Sequence, residues 1–238
     1  NADAKQAVIS ACQFICSDLP VTQIPDGISI AYTQQSKGCC YNASLLGAET
    51  LAKGYKLSGK QTWLNIAKSA VEFVLSRQKE DGHWNYSYNS VTDRERNQID
   101  FHQGFILVSL DNYLRIAKSD DARIISALEK GSSFYRHQQF NDSGRSFWRL
   151  PKQWPTDIHH QAQGIITFSR LCRFHPHYLL FARTIAEWTI RNMQDRKGFF
   201  YYQKHRYYTN RIPYMRWGQA WMLLALAELI SAESAARD

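Results

Sequence analysis

The chain has 238 residues, 44% of them hydrophobic, enough for a substantial core in one large domain or a repeat array. Its net charge of +8 and pI near 9.3 favour an anionic partner, but the 29 Lys and Arg are scattered rather than run together. That scatter argues against a nucleic-acid arm or a polybasic membrane anchor, and no apolar run reaches the ~18 residues of a membrane span.

The chain opens on Asn, as a fragment or a processed form would, and residues 2–17 read as an outer helix. A polar start at Cys40-Tyr41-Asn42-Ala43-Ser44 leads into a helix carrying Leu45, Leu46, Leu51 and Tyr55. Trp63, Ile66, Ala67, Ala70, Val71, Val74 and Leu75 mark the partner helix. It ends at Arg77-Gln78, and Asp81-Gly82-His83-Trp84-Asn85-Tyr86 then forms a turn with aromatics.

A second polar start, Ile99-Asp100-Phe101-His102, precedes a helix with Phe105, Ile106, Val108, Leu110 and Leu114. Ile124, Ile125, Leu128 and Phe134 complete that pair, and residues 137–148 form its Gly- and aromatic-bearing loop. Thr156-Asp157-Ile158-His159-His160 begins the next pair, with Ile165, Ile166, Phe168 and Leu171 followed by Phe181, Ile185, Trp188 and Ile190. The loop Met193-Gln194-Asp195 through Gly198-Phe199-Phe200-Tyr201-Tyr202 leads to the start Pro213-Tyr214-Met215-Arg216-Trp217 and a last helix with Trp221, Leu223, Leu224, Leu226 and Leu229.

Positions 100, 157 and 214 are spaced by 57 residues, as are 102, 159 and 216. That period fits one helical hairpin plus a loop, and exceeds the roughly 34 of TPR and 40–47 of HEAT repeats. The expected fold is all-α, an α/α toroid of helical hairpins occupying residues 1–238 as one domain, with no strand to place. A closed ring needs roughly six or seven hairpins. Four inner helices therefore predict a partial ring, or a piece lacking N-terminal hairpins.

In such an array the loops before the inner helices share one end. Asp100 and Asp157 are the paired carboxylates that glycoside hydrolysis requires, although an Asp at a helix start also caps it. His159 joins them as a catalytic candidate, since removing a proton beside a uronate carboxylate is lyase and C5-epimerase chemistry. His102, His160 and Tyr214 flank it. Arg216 suits a uronate carboxylate, and Trp84, Tyr86, Tyr201, Tyr202 and Trp217 offer faces for sugar rings. The five Cys include no paired CxxC, so free thiols are expected rather than a metal site, which points to a cytoplasmic setting, or a periplasmic one if a signal peptide has been removed.

These motifs resemble a bacterial family associated with extracellular-polysaccharide gene clusters, of the six-hairpin glycosidase type. The resemblance spans roughly residues 40–230 and rests on Arg77-Gln78 through Trp84, on Ile99-Asp100-Phe101-His102-Gln103-Gly104-Phe105, on Asp157-Ile158-His159 and on the stretch from Asn192 to Trp217. It implies carbohydrate chemistry without cofactor on an acidic oligo- or polysaccharide: a glycoside hydrolase first, a uronate lyase or C5-epimerase second. A non-catalytic glycan-binding scaffold is the reading from a different class.

Overall fold

The structure, a computed structural model, describes residues 1–36 and 38–236. Its helices are α1 (Ala2–Ser17), α2 (Tyr41–Ser58), α3 (Gln61–Leu75), α4 (His102–Ala117), α5 (Ala122–Gln138), α6 (Ile158–Leu171), α7 (His177–Met193) and α8 (Ala220–Ala235). The class is the all-α, α/α-toroid arrangement of helical hairpins that the periodicity predicts. Two compact units divide the chain: Asn1–Gln98 with Ser109–Gly131, and Ile99–Val108 with Ser132–Asp238.

In the first unit α2 packs against α1 and α3. Helix α3 buries Trp63, Ala67, Ala70, Val71 and Val74 along one stripe and exposes Gln61, Thr62 and Lys68 on the other. An antiparallel hairpin, β1 (Val21–Ile24) and β2 (Gly27–Ile30), lies on α3. Gly27 is required there: its φ is +134°, and a Cβ would sit 2.2 Å from the Ser69 carbonyl oxygen.

In the second unit α6 is the hub, packed against both α7 and α8. Every residue of α6 except Arg170 is buried, so its polar side chains must find partners inside. Gln161 does so by donating to Thr189 Oγ1 at 2.8 Å and to the Gly144 carbonyl at 3.1 Å. Helix α8 is apolar on opposite sides: Met222, Ala225 and Leu229 are buried, while Leu223 and Ile230 are exposed.

The repeat expected at the loops is present in backbone detail. Gly82, Gly144 and Gly198 all have positive φ, and each donates its N–H to the carbonyl three residues back, on Lys79, Asn141 and Asp195, at 2.9–3.1 Å. The N–H groups of those three residues return to the carbonyls of His83, Arg145 and Phe199 at 2.8–3.0 Å. Gln78 and Gln194 seal two of the turns by donating to the Gly82 and Gly198 carbonyls.

Short strands correct the expectation that none is needed. β3 (Cys39–Cys40), β4 (Ser87–Asn89) and β5 (Arg94–Arg96) form one antiparallel sheet. β6 (Thr156–Asp157), β7 (Gln203–Lys204) and β8 (Thr209–Asn210) form another, with Asp157 opposite Gln203. Strands of two or three residues show no two-residue periodicity, which is why the sequence hides them. Each sheet binds a polar helix start to the loop that follows its hairpin. The Tyr41 N–H meets the Tyr86 carbonyl at 3.4 Å in the first unit, and the Ile158 N–H meets that of Tyr202 at 3.0 Å in the second.

Candidate functional site

The polar starts of α4, α6 and α8 all belong to the second unit, and their side chains meet there. Asp100 is 2% exposed and its Oδ1 takes the His102 backbone N–H at 3.2 Å and the His102 Nδ1–H at 2.5 Å. An ionised carboxylate only accepts, so this contact fixes the imidazole with its proton on Nδ1 and its Nε2 as the basic nitrogen. The Arg149 Nε lies 3.5 Å from the second Asp100 oxygen. Arg149 reaches it from the loop after α5, which is tied alongside by the Leu150 N–H to the Ile99 carbonyl at 3.0 Å.

Phe101 stacks on His102 with centroids 4.3 Å apart and lies 4.8 Å from the His159 ring. His159 is enclosed by Phe101, Phe105 at 5.9 Å, Trp217 at 4.4 Å and Trp221 at 4.7 Å. Among the described residues, neither of its ring nitrogens has a hydrogen-bond partner. Burial in this aromatic surround, aided by His102, lowers its pKa from 6.5 to about 4, so the ring is neutral at pH 7.

Asp157 caps α6 through the His159 N–H at 2.9 Å. It also accepts from the Gln203 amide at 2.8 Å and from the Trp217 indole at 2.9 Å. Burial raises its pKa against the opposing pull of those three donors. Trp217 and Arg216 stand on a π-helical turn, Met215–Gln219, that opens α8, and irregular turns of this kind are frequent at functional sites. Trp217 is 39% exposed, Tyr214 is 46% exposed, and Arg216 lies at the surface.

The structure thus brings together Asp100, His102, His159, Asp157 and Trp217. Tyr202 lies edge-on to Tyr214 at 4.9 Å, and Tyr201 donates its hydroxyl to Asp195 at 2.9 Å. His160 is a correction: it is 1% exposed and packs against Phe101 and Phe140, its Nε2 facing Gln139 at 3.4 Å, which makes it a core residue and not a sugar contact. Burial takes its pKa down to about 3. Trp84, in the first unit, is also corrected. It is fully buried and donates its indole N–H to the Val74 carbonyl at 2.8 Å, so no face is open for stacking. Tyr86, in the same unit, is half-buried beneath the Arg96 guanidinium, 5.0 Å from its ring. Burial, with the Cys40 thiol as a lesser cause, pushes its phenol up to about 12. Nothing in the sequence marks Arg149, which lies in a loop with no periodicity. Among the described residues, no group of three or more His, Cys, Asp or Glu could hold a metal ion.

No protein-family model and no curated protein matches the chain. Solved structures do. A possible member of the GH105 family from Salmonella enterica is 14% identical with a TM-score of 0.76, over 97% of this chain and 67% of that one. Cellobiose 2-epimerase from Bacillus thermoamylovorans is 9% identical with a TM-score of 0.77, over 100% and 71%. An unsaturated glucuronyl hydrolase specific for heparin is 16% identical with a TM-score of 0.64, over 83% and 60%. At these identities the likeness is one of architecture: the chain has the six-hairpin-glycosidase type of α/α fold and spans about two thirds of the length of such structures.

Proposed function

We propose that this protein is a carbohydrate-active enzyme that moves a proton at a sugar carbon, with His102 as the base and an acidic sugar as the substrate. The observation that carries this reading is the 2.5 Å contact between the His102 Nδ1 and the buried Asp100. A buried carboxylate that holds the proton on one ring nitrogen leaves the other as a fixed acceptor, which is the geometry a general base requires. His102 Nε2 takes the proton alpha to a carbonyl or uronate carboxylate, and the electrons pass to oxygen as an enediolate. Neutral His159 lies behind Phe101 and Trp217 and adds no charge beside the base. A solvent proton returning on the opposite face, while the His102 imidazolium releases its own to solvent, gives an epimer. Loss of an alkoxide from the adjacent carbon, protonated by that imidazolium, gives an unsaturated uronate. Phe101 and Trp217 provide ring faces, and Arg216 a cation for the carboxylate.

Glycoside hydrolysis is the second reading, favoured by one observation: the raised pKa of Asp157, which suits a general acid. Against it, Asp157 is 1% exposed and already accepts three N–H donors. Incubation with acidic oligosaccharides and reducing sugars in D2O separates the cases. Carbon-bound deuterium or a conjugated uronate chromophore supports proton abstraction. Products whose summed mass has gained water support hydrolysis, and binding with no change to the sugar leaves a glycan-binding scaffold.

A further inference from the structure

Residues 196–227 hold six of the chain's basic side chains, Arg196, Lys197, Lys204, Arg206, Arg211 and Arg216, and no Asp or Glu. The local formal charge is therefore +6, set against +8 for the whole protein. The excess is not absorbed inside the fold. Arg206, Arg211 and Arg216 are exposed, and among the described residues no ion pair within 4.0 Å joins any of them to a carboxylate. Asp195, at the margin of the stretch, is held below the usual carboxylate range by the Lys197 N–H and the Tyr201 hydroxyl, with Arg211 a smaller contributor.

Aromatic rings are interleaved with these cations. The β7–β8 hairpin turns through His205, Arg206, Tyr207 and Tyr208, closed by the His205 N–H to the Tyr208 carbonyl at 2.8 Å. Tyr208 lies flat against His205, with centroids 4.1 Å apart and planes 11° from parallel. Arg206 stands 5.4 Å from the Tyr207 ring and Arg211 5.4 Å from the Tyr201 ring. Tyr207 is 87% exposed and Tyr208 63%, large apolar areas left in water at a hairpin tip. The hairpin is anchored to the candidate site, since β7 pairs with β6 and Gln203 donates to Asp157.

We infer that the β7–β8 hairpin, with Arg206, Tyr207 and Tyr208 at its tip and Arg211 at its base, docks an acidic polysaccharide chain. Carboxylates of such a polymer meet separated cations, and the C–H faces of its rings meet exposed tyrosines. The hydroxylated rings at the tip fit a hydrated sugar chain better than the interior of a lipid layer, and the bases are spread among rings rather than clustered as a phosphate track. This inference rests on the carbohydrate reading above and adds the polymer and its grip to it.

The test is retention of the full chain on immobilised polygalacturonate, with dextran as the neutral control and duplex DNA and phosphatidylglycerol vesicles as rival anions. Wild type is expected to be held by polygalacturonate and not by dextran. Arg206→Glu and the pair Tyr207→Ser with Tyr208→Ser should each weaken retention about tenfold, the first mainly at low salt, the second across salt concentrations. Turnover of a short acidic oligosaccharide should be unchanged in both. Equal retention of wild type and variants, or tighter binding of wild type to DNA or vesicles, would overturn the inference. Polymer retention without any turnover would keep the docking surface and sink only the catalytic reading, whereas turnover without retention would do the reverse.

Discussion

Trp217 donates its indole N–H to Asp157 at 2.9 Å, joining the starts of two helices 60 residues apart. The contact holds the Trp217 ring against His159, whose centroid is 4.4 Å away. Asp157 is therefore a brace as well as a cap. Trp217→Phe keeps an aromatic ring but removes one donor from a buried carboxylate, and should lower stability by about 1–3 kcal/mol in denaturant titrations.

Asp157→Asn separates the two chemical readings. If His102 abstracts the proton, the variant loses stability, because the new amide faces the Gln203 donor, yet folded protein retains measurable turnover. If Asp157 is a general acid, turnover disappears while the protein remains folded.

Asp100→Asn replaces the charged acceptor of the His102 Nδ1–H with a neutral amide that can equally donate, so the tautomer is no longer fixed. The expected result is a fall in kcat of about 10²–10⁴-fold with KM little changed, and His102→Asn should cause a loss of the same order. The two should not be additive, since they disable one unit. A double variant much slower than either single variant would show that the residues act separately.

The buried histidines set an acid limit on stability. His159 and His160 have native pKa values of about 4 and about 3, below the 6.5 of an unfolded histidine. Between pH 6.5 and 4 the unfolded chain binds protons that the native state refuses, so stability is full above this window and falls as pH drops. Each residue should account for about 2 kcal/mol lost by pH 5. The raised pKa of Asp157 has the opposite sign, favouring the native state while it is protonated and losing that contribution as pH rises. His160→Gln should flatten the acid limb in thermal melts at graded pH.

The three turn glycines offer an internal control. Gly198 has φ +93° but open space where a Cβ would stand, so Gly198→Ala should cost about 1–2 kcal/mol from conformation alone. At Gly144 the same Cβ would lie 2.7 Å from the Thr184 carbonyl oxygen, and at Gly82 2.4 Å from that of Lys130. Backbone cannot yield as a side chain can, so alanine at either position should destabilise clearly more than at Gly198.

Much of this was legible in the sequence because the fold repeats. The 57-residue spacing located the starts at Asp100, Asp157 and Tyr214, and the Gln–Gly loops announced turns that the structure builds with the same hydrogen bonds. Burial was harder to read. His159 and His160 are adjacent on one helix and chemically alike, yet one faces the site's aromatic rings and the other packs into the core beside Phe140. Trp84 carries no sign that its indole turns inward to the Val74 carbonyl. The partnership of Asp100 with Arg149 arises from a loop with no period to betray it.

The most direct test of the central claim is carbon-bound deuterium in sugar recovered from D2O, compared between wild type and His102→Asn, each shown to be folded. The account predicts incorporation at one carbon by wild type and none above background by the variant. Equal incorporation by both, or cleavage that adds water without any deuterium on carbon, would contradict it.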